Sequence, residues 1–421
     1  MLNDSDDDSL ETEVEMVSLL NGDAPPSHSK FRPESPSKEG QNPTQLSISI
    51  VISFVGAGIL GLPSAFSKSG IILSIFSLTG VAAVSVYAML LLVWTRKKIE
   101  ETGKSCETYG DVGEHVMGKF GRNLVDFCLT LSQTCFATAY VIFISSNLQN
   151  SFAISRVLTC ILAIPGLAWL VNLSSLRKLS PFSLIADFAN FAGLTYVLAS
   201  DLSTLTISHP QITIWDSTYF IHVLGVSVYC FEGVGLILPL EASAANKETF
   251  PKVLCIVLSA ITVVMLFFGC LGFAAYGDKV LSPITLNLEG SRGDLVKVCF
   301  CVGLYFTYPI MMFPVNTIVE SRIWGDETPR NWKFRTSVVT MTAVVAWGVD
   351  DFGLFIHFVG SSVCMILGFI LPCYFHLKVG KQSGGLLKWE KYFDWGMIAF
   401  GAIFGTLGTF DSGAELLGLR R

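Results

Sequence analysis

Charge is what this chain has least of. Only 15% of its 421 residues are Asp, Glu, Lys or Arg, 51% are hydrophobic, and the mean hydropathy is +0.56. Soluble domains carry about 25% charged residues, so this balance excludes an ordinary soluble enzyme or binding module and points to an integral membrane protein. A basic face for nucleic acid is also missing. The formal charge is −6, and much of the acid sits in the first residues (Asp4, Asp6, Asp7, Asp8, Glu11, Glu13, Glu15). No zinc or disulfide spacing organises the 11 cysteines. Cys106 lies in a polar stretch; the others, Cys128, Cys135, Cys160, Cys230 and Cys364 among them, lie in apolar runs, where cysteine behaves as a small core residue. The tightest pair, Cys299-Phe300-Cys301, suits no common metal. His-Glu-x-x-His, a Walker loop and a nucleophile elbow are absent, so no enzyme activity, metal or cofactor is expected. The acidic start, with no apolar run before Leu46, gives no reason to expect a signal peptide.

Long apolar runs are what the chain has instead. A helical crossing needs about 20 mostly apolar residues. Runs of that kind fall near 46–67, 70–95, 123–149, 154–172, 181–201, 217–240, 252–276, 295–319, 335–350, 352–377 and 393–411, which predicts eleven transmembrane helices. A barrel would show alternating ten-residue segments. Residues 1–43, rich in Asp, Ser, Pro and Gly, are expected to form a disordered cytosolic tail. Within it, Glu15-Met16-Val17-Ser18-Leu19-Leu20 matches the acidic dileucine pattern read by sorting adaptors of vacuoles and lysosomes. Placing the tail in the cytosol leaves 21 of the 28 Lys and Arg on that side, and the Leu202–Ser217 loop opposite has none. That bias puts the C-terminus in a lumen or outside. The sequons Asn3-Asp4-Ser5 and Asn172-Leu173-Ser174 then face the cytosol and are expected to be bare.

Two glycine stretches interrupt these runs. One is Gly56-Ala57-Gly58-Ile59-Leu60-Gly61-Leu62-Pro63; the other is Gly233-Val234-Gly235-Leu236-Ile237-Leu238-Pro239, directly after Glu232. A break inside a membrane leaves backbone groups unpaired, which is tolerated only where they line a cavity or are buried in protein. The breaks open spans one and six. Spans one to five (44–202) and six to ten (203–377) are then two halves, inverted because five is odd, followed by a cytosolic loop and an eleventh helix in 378–421. Paired breaks in two halves point to a transporter's substrate site at the repeat interface.

The residues around these breaks resemble the amino acid/auxin permease family. The likeness rests on Val55 through Pro63, on Phe231-Glu232-Gly233-Val234-Gly235 with Leu238-Pro239-Leu240-Glu241, and on Phe306-Thr307-Tyr308-Pro309 with Met311-Met312. Phe358-Val359-Gly360-Ser361-Ser362-Val363-Cys364 and Leu367-Gly368-Phe369-Ile370-Leu371-Pro372 complete it, in order, over residues 45 to 377. The chain is most similar to the plant-type vacuolar neutral amino-acid exporters, which share Leu91-Leu92-Val93-Trp94-Thr95-Arg96 and Leu131-Ser132-Gln133. The resemblance implies an all-α, LeuT-like 5+5 inverted repeat of eleven helices, helices 1 and 6 being discontinuous, and proton-linked amino-acid transport.

A free amino acid carries a carboxylate and an ammonium. A half-helix N-terminus offers unpaired N–H groups and the positive end of a dipole to the first. Unwound carbonyls accept from the second, and glycine allows close approach. The expected substrate-binding residues are therefore Val55, Gly56, Ala57, Gly58 and Ile59 with Phe231, Glu232, Gly233 and Val234. Tyr140 and Tyr229 are expected as pocket walls. Glu232 lies mid-span, where a charged acid costs about 2.5–3.5 kcal/mol on insertion scales. It is read as the coupling proton site, as a hydrogen-bond anchor that steadies the unwound segment, or as a permanently protonated structural acid bonded to backbone donors.

Asp187, near the start of span five, is a second coupling candidate; its alternative is an interfacial carboxylate paired with Arg177 or Lys178. The resemblance implies that the hydroxyls of Thr307 and Tyr308 sit where sodium-coupled relatives hold an ion, which makes Thr307 a third coupling candidate. His222 and His357 are expected to be solvated interfacial side chains, although histidine titrates in the range of an acidic lumen. The function these residues predict is secondary transport of neutral amino acids, with a coupling proton, from an acidic organelle lumen to the cytosol. The alternatives are an amino-acid sensor signalling through its tail and a sodium-coupled plasma-membrane importer. The partners expected are a free amino acid, a proton, the lipid bilayer and a sorting adaptor.

Overall fold

The computed structural model describes residues 40–173, 176–207, 210–325 and 331–419, with side chains described outside 176–185. Residues 1–39 of the expected disordered tail, the dileucine motif, the sequon at Asn3, Ser174 of the second sequon, and the Arg177 and Lys178 side chains lie outside the described residues; the last residues of that expected tail are ordered instead, with Gln41 bonded to Ser243 and Pro43 opening the first helix. Fourteen helical segments follow in order: α1 Pro43–Phe54, α2 Ala57–Ser69, α3 Ile71–Glu100, α4 Tyr109–Met117, α5 Lys119–Phe152, α6 Arg156–Val171, α7 Leu176–Leu205, α8 Phe220–Cys230, α9 Val234–Ser243, α10 Phe250–Tyr276, α11 Gly290–Trp324, α12 Trp332–Gly348, α13 Phe352–Gln382 and α14 Lys388–Leu416.

Among the described residues, seven stretches are long and apolar enough to cross a bilayer: α3, α5, the α8–α9 run from Ser217 to Ser243, α10, α11, α13 and α14. The pair α1 and α2, bent by 48° at its break, makes an eighth when taken as one crossing. Helices also occupy the other three expected positions. Of these, α6 and α12 have 16 and 17 residues, short of the ~20 that a straight crossing needs. Local chemistry sets the ends. Ser155, Asn331 and Asp351 accept N–H bonds at the starts of α6, α12 and α13, and Thr108 with Asp111 forms a capping box on α4.

Polar pairing is layered at two ends. At the end where α1 begins, Arg96 of α3 bonds Glu241 of α9 at 2.8 Å, Arg322 bonds Asp126 at 2.6 Å, and Arg335 bonds Glu320 and the Val171 carbonyl. Gln41 pairs with Ser243 and Ala245 through its backbone. At the opposite end Arg156 bonds Asp350 and the Val349 carbonyl, Thr285 bonds Asn147 at 2.7 Å, and Lys297 bonds Asn150 at 2.6 Å. There the 210–216 segment bonds the turn at Gly70, a position with φ +83° that favours glycine. Apolar side chains fill the space between the ends, and outward-facing Phe76, Leu162, Phe188, Phe191, Val263 and Phe410 are exposed, as lipid contact requires.

The backbones of α8 and α13 come close together. A Cβ placed on Gly360 would lie 1.9 Å from the Gly225 carbonyl oxygen. Beyond Gly360 the helix α13 is wound as π turns over Gly360–Cys364 and Ile366–Ile370. Such turns leave carbonyls without an ordinary partner, and the Leu367 carbonyl accepts from the Tyr109 hydroxyl at 2.9 Å.

Candidate functional site

Both expected interruptions are present and both face inward. α1 ends at Phe54, and the chain restarts at Ala57 as a 3₁₀ turn that becomes α-helical at Leu62, with Pro63 at the second position. α8 ends at Cys230 and α9 begins at Val234. The last carbonyls of α1 and α8 and the first N–H groups of α2 and α9 have no partner within their own helices, so four half-helix ends converge in one region.

A cavity of about 60 Å³ lies between them. It is lined by Ser53, Phe54 and Gly56 to Ile59 from the first break, and by Tyr229, Cys230, Glu232, Gly233, Gly235 and Leu236 from the second. Gln133, Phe136 and Tyr140 of α5, Met265 of α10 and Met311 of α11 complete the wall. At about 15 Å³ per water site this is room for a few waters, or for the ammonium and carboxylate of a small zwitterion. The lining continues toward the α1 end through Ser53, Phe54 and Leu236. Toward the opposite end the buried rings of Phe143, Phe300 and Phe352 stack edge to face, with Phe143 at 6.1 and 5.9 Å from the other two. Ile356 sits against Gly61 there.

The structure sorts the expected residues. Gly56, Ala57, Gly58, Ile59, Tyr140, Tyr229, Glu232 and Gly233 line the cavity. Phe231 and Val234 are buried in the surrounding core and do not line it. Val55 faces a second cavity of about 20 Å³, shared with Gly56, Ala57, Asn190 and Leu304. Asp187 and Thr307 line neither. They flank the crossing of α7 and α11, where Gly303 sits against the Ala186 carbonyl and Asn190, and the Thr307 hydroxyl donates to the Gly303 carbonyl at 2.9 Å. The Tyr308 hydroxyl is turned away from the site and shares a 2.6 Å hydrogen bond with Thr342 of α12.

Glu232 is half-buried, with Oε2 3.5 Å from where a Cβ on Gly368 would stand. It is the one ionisable carboxyl on the cavity wall, which has no Lys, Arg or His. Among the described residues its carboxyl makes no hydrogen bond or ion pair, while its backbone N–H donates to the Tyr229 carbonyl at 3.3 Å. The expectation for the histidines is also corrected. His222 and His357 are 7% and 1% exposed, not solvated, because α8 and α13 press together at Gly225 and Gly360.

Sequence reasoning missed Ser53, Gln133, Phe136, Met265, Met311 and Asn190. Asn190 carried a signal, as an amide one turn beyond Asp187 in an apolar span; its Oδ1 is buried without a partner. All 11 cysteines are free thiols. Cys106, between α3 and α4, is fully buried, and that burial pushes its thiol up to about 12.

With the site described, the chain can be compared with known proteins. A family model described as "Transmembrane amino acid transporter protein" matches residues 39–412. The Amino acid transporter AVT3B of Arabidopsis thaliana is 35% identical over 386 residues, covering 87% of this chain and 92% of that protein. The Vacuolar amino acid transporter 3 of Schizosaccharomyces pombe is 29% identical, over 91% of this chain and 60% of the other. Among solved structures, MhsT in complex with L-phenylalanine covers 89% of this chain and 99% of its own, at 11% identity and a TM-score of 0.52, which shows the LeuT-like fold. A multi-pass membrane protein with two interrupted helices around a central cavity, this chain belongs to the transmembrane amino acid transporter family.

Proposed function

We propose that this protein is a proton-coupled carrier of neutral amino acids in a vacuolar membrane, moving them from an acidic lumen to the cytosol. The observation that carries the proposal is Glu232: an unpartnered carboxyl on the wall of a cavity bounded by four half-helix ends. The helix N-termini at Ala57 and Val234 suit a carboxylate and the unwound carbonyls an ammonium. Gly56, Ala57, Gly58, Ile59 and Gly233 then hold the zwitterion, while Phe136, Met265 and Met311 take its side chain. The wall offers no cation for an acidic side chain, which favours neutral substrates. Glu232 takes the coupling proton; Asp187 and Thr307, away from the cavity, are the lesser candidates.

The vacuolar setting is drawn from the printed names of relatives such as that of S. pombe. The orientation proposed is the one lysine and arginine favour, with the α1 end cytosolic. Eleven crossings in two inverted halves, 44–202 and 203–377, complete the layout, and Glu15–Leu20 is proposed as an adaptor site.

The test is uptake into proteoliposomes across a panel of labelled amino acids. A gradient of 2 pH units is worth about 2.7 kcal/mol per proton, or about hundredfold accumulation at about 1.4 kcal/mol per tenfold. Neutral amino acids should be concentrated away from the acid side with choline replacing sodium. Glu232→Gln should abolish accumulation but leave exchange at equal pH. Accumulation that needs sodium, or survives Glu232→Gln, would overturn the assignment.

A further inference from the structure

Two histidines that the cavity does not use meet on the far side of it from the α1 end. His222 of α8 and His357 of α13 lie with ring centroids 4.7 Å apart. Each sits one turn before the glycine of the tight crossing, Gly225 or Gly360. There is no slack: a Cβ on Gly225 would fall 2.3 Å from His357 Cδ2. Neither ring nitrogen of His357 makes a hydrogen bond of ordinary geometry among the described residues, and the Ile221 backbone is the polar group placed to accept from it. Among the described residues no carboxylate is bonded to either ring, although α14, which packs on both helices, carries Asp411 and Glu415 in the turns after Gly408, and α3 and α5 pack here with apolar and neutral polar side chains. α2 brings Lys68, a cation within electrostatic reach of both rings. α14 presents Gly405 and Gly408 against Ser361. The acids nearest in sequence, Asp216 and Asp351, cap the Thr218 and Leu354 N–H groups.

We propose that His222 and His357 form a second proton site, separate from Glu232, whose occupancy decides whether the end of the carrier opposite α1 is closed. The packed arrangement has no place for a charge. An imidazolium there would be buried without a carboxylate and would repel its neighbour and Lys68. Separation of α8 from α13 hydrates both rings, which then take up protons near the ordinary histidine value of about 6.5. Acid therefore favours the open form. One proton bound only in that form shifts the equilibrium about tenfold per pH unit below that value, and two shift it about a hundredfold. That this end faces an acidic lumen rests on the orientation proposed above; the proton site itself does not. With that orientation, lumenal acid opens the carrier toward its substrate.

The test is amide hydrogen exchange on the full-length protein in nanodiscs at pH 7.5 and 5.5, corrected for intrinsic exchange. Segments 220–230 and 352–364 should lose about ten- to a hundredfold protection in acid, for one or two protons taken up. The loss should disappear in the His222→Gln/His357→Gln double variant and shrink in His357→Asn, a milder change that covers failure of the double variant to fold. It should persist in Glu232→Gln. A double variant that opens in acid like the parent, a parent that does not open, or a response lost with Glu232→Gln would each overturn the proposal. An opening response in a protein that fails to accumulate amino acids would sink the transport reading and leave this one standing.

Discussion

Gly58 and Gly56 lie two residues apart in the first break, yet the structure predicts opposite behaviour for their alanine variants. A methyl on Gly58 would stand 2.9 Å from Tyr229 Cδ1 and 3.1 Å from Cys230 Sγ. Retreat of the ring is blocked on one side by Phe136, which packs on it at 4.6 Å between centroids, and on the other it only takes space from the cavity. Overpacking of this kind costs about 1–3 kcal/mol. Spread over a chain of this size, that lowers the unfolding midpoint of the ligand-free carrier by roughly 1–4 °C.

A methyl on Gly56 meets nothing nearer than the Tyr140 hydroxyl at 3.9 Å, so the empty protein should keep its midpoint. That methyl points into the cavity, however, and its cost should appear only when an amino acid must share the space. The same 1–3 kcal/mol then reads as about 5- to 150-fold weaker binding. Thermal melts of purified protein with and without substrate separate the two effects: Gly58→Ala loses stability in both, while Gly56→Ala loses only the substrate-induced gain. The reasoning fails if Gly58→Ala melts like the parent, or if Gly56→Ala is stabilised by substrate as fully as the parent.

Other outcomes follow from packing away from the cavity. Gly360→Ala drives a methyl against the Gly225 carbonyl, backbone that cannot swing aside, so folded yield in a size-exclusion assay should fall well below that of Gly413→Ala, whose nearest neighbour is 3.7 Å away. The Arg96–Glu241 pair is buried, with side-chain exposures of 6% and 4%. Removing Arg96 should cost about 3–5 kcal/mol by stranding Glu241, and removing Glu241 should cost less because Glu100 still pairs with Arg96 at 3.0 Å, while Arg96→Met with Glu241→Leu should recover most of the loss, measured as the non-additive part of a double-mutant cycle in thermal melts.

The breaks were legible in the sequence because glycine and proline inside an apolar run have a local cause. The surrounding wall was not. α10 is apolar along most of its length, α5 is largely so between Phe136 and Ile144, and in a bilayer the lipid-facing and core-facing sides of a helix are equally greasy, so nothing in the chain marks Phe136, Met265 or Met311 as turned inward. Val55, Phe231 and Val234 adjoin the breaks in sequence, but adjacency does not fix direction, and their side chains leave the cavity. His222 and His357 were misjudged for a related reason. Nearness to a loop suggests water, whereas the glycine crossing of α8 and α13 excludes it. The buried set of Tyr87, Asp394 and His376, bonded at 2.8 and 2.6 Å across three helices, likewise joins residues up to 307 positions apart, beyond the reach of any local pattern.

The most direct test of the account is an experimental structure of the carrier with a small neutral amino acid bound. The account predicts the ligand between Gly56–Ile59 and Gly233, its carboxylate within about 3.2 Å of backbone N–H groups and Glu232 on the adjoining wall. A ligand seated elsewhere, or held chiefly by charged side chains with both helices continuous, would contradict it.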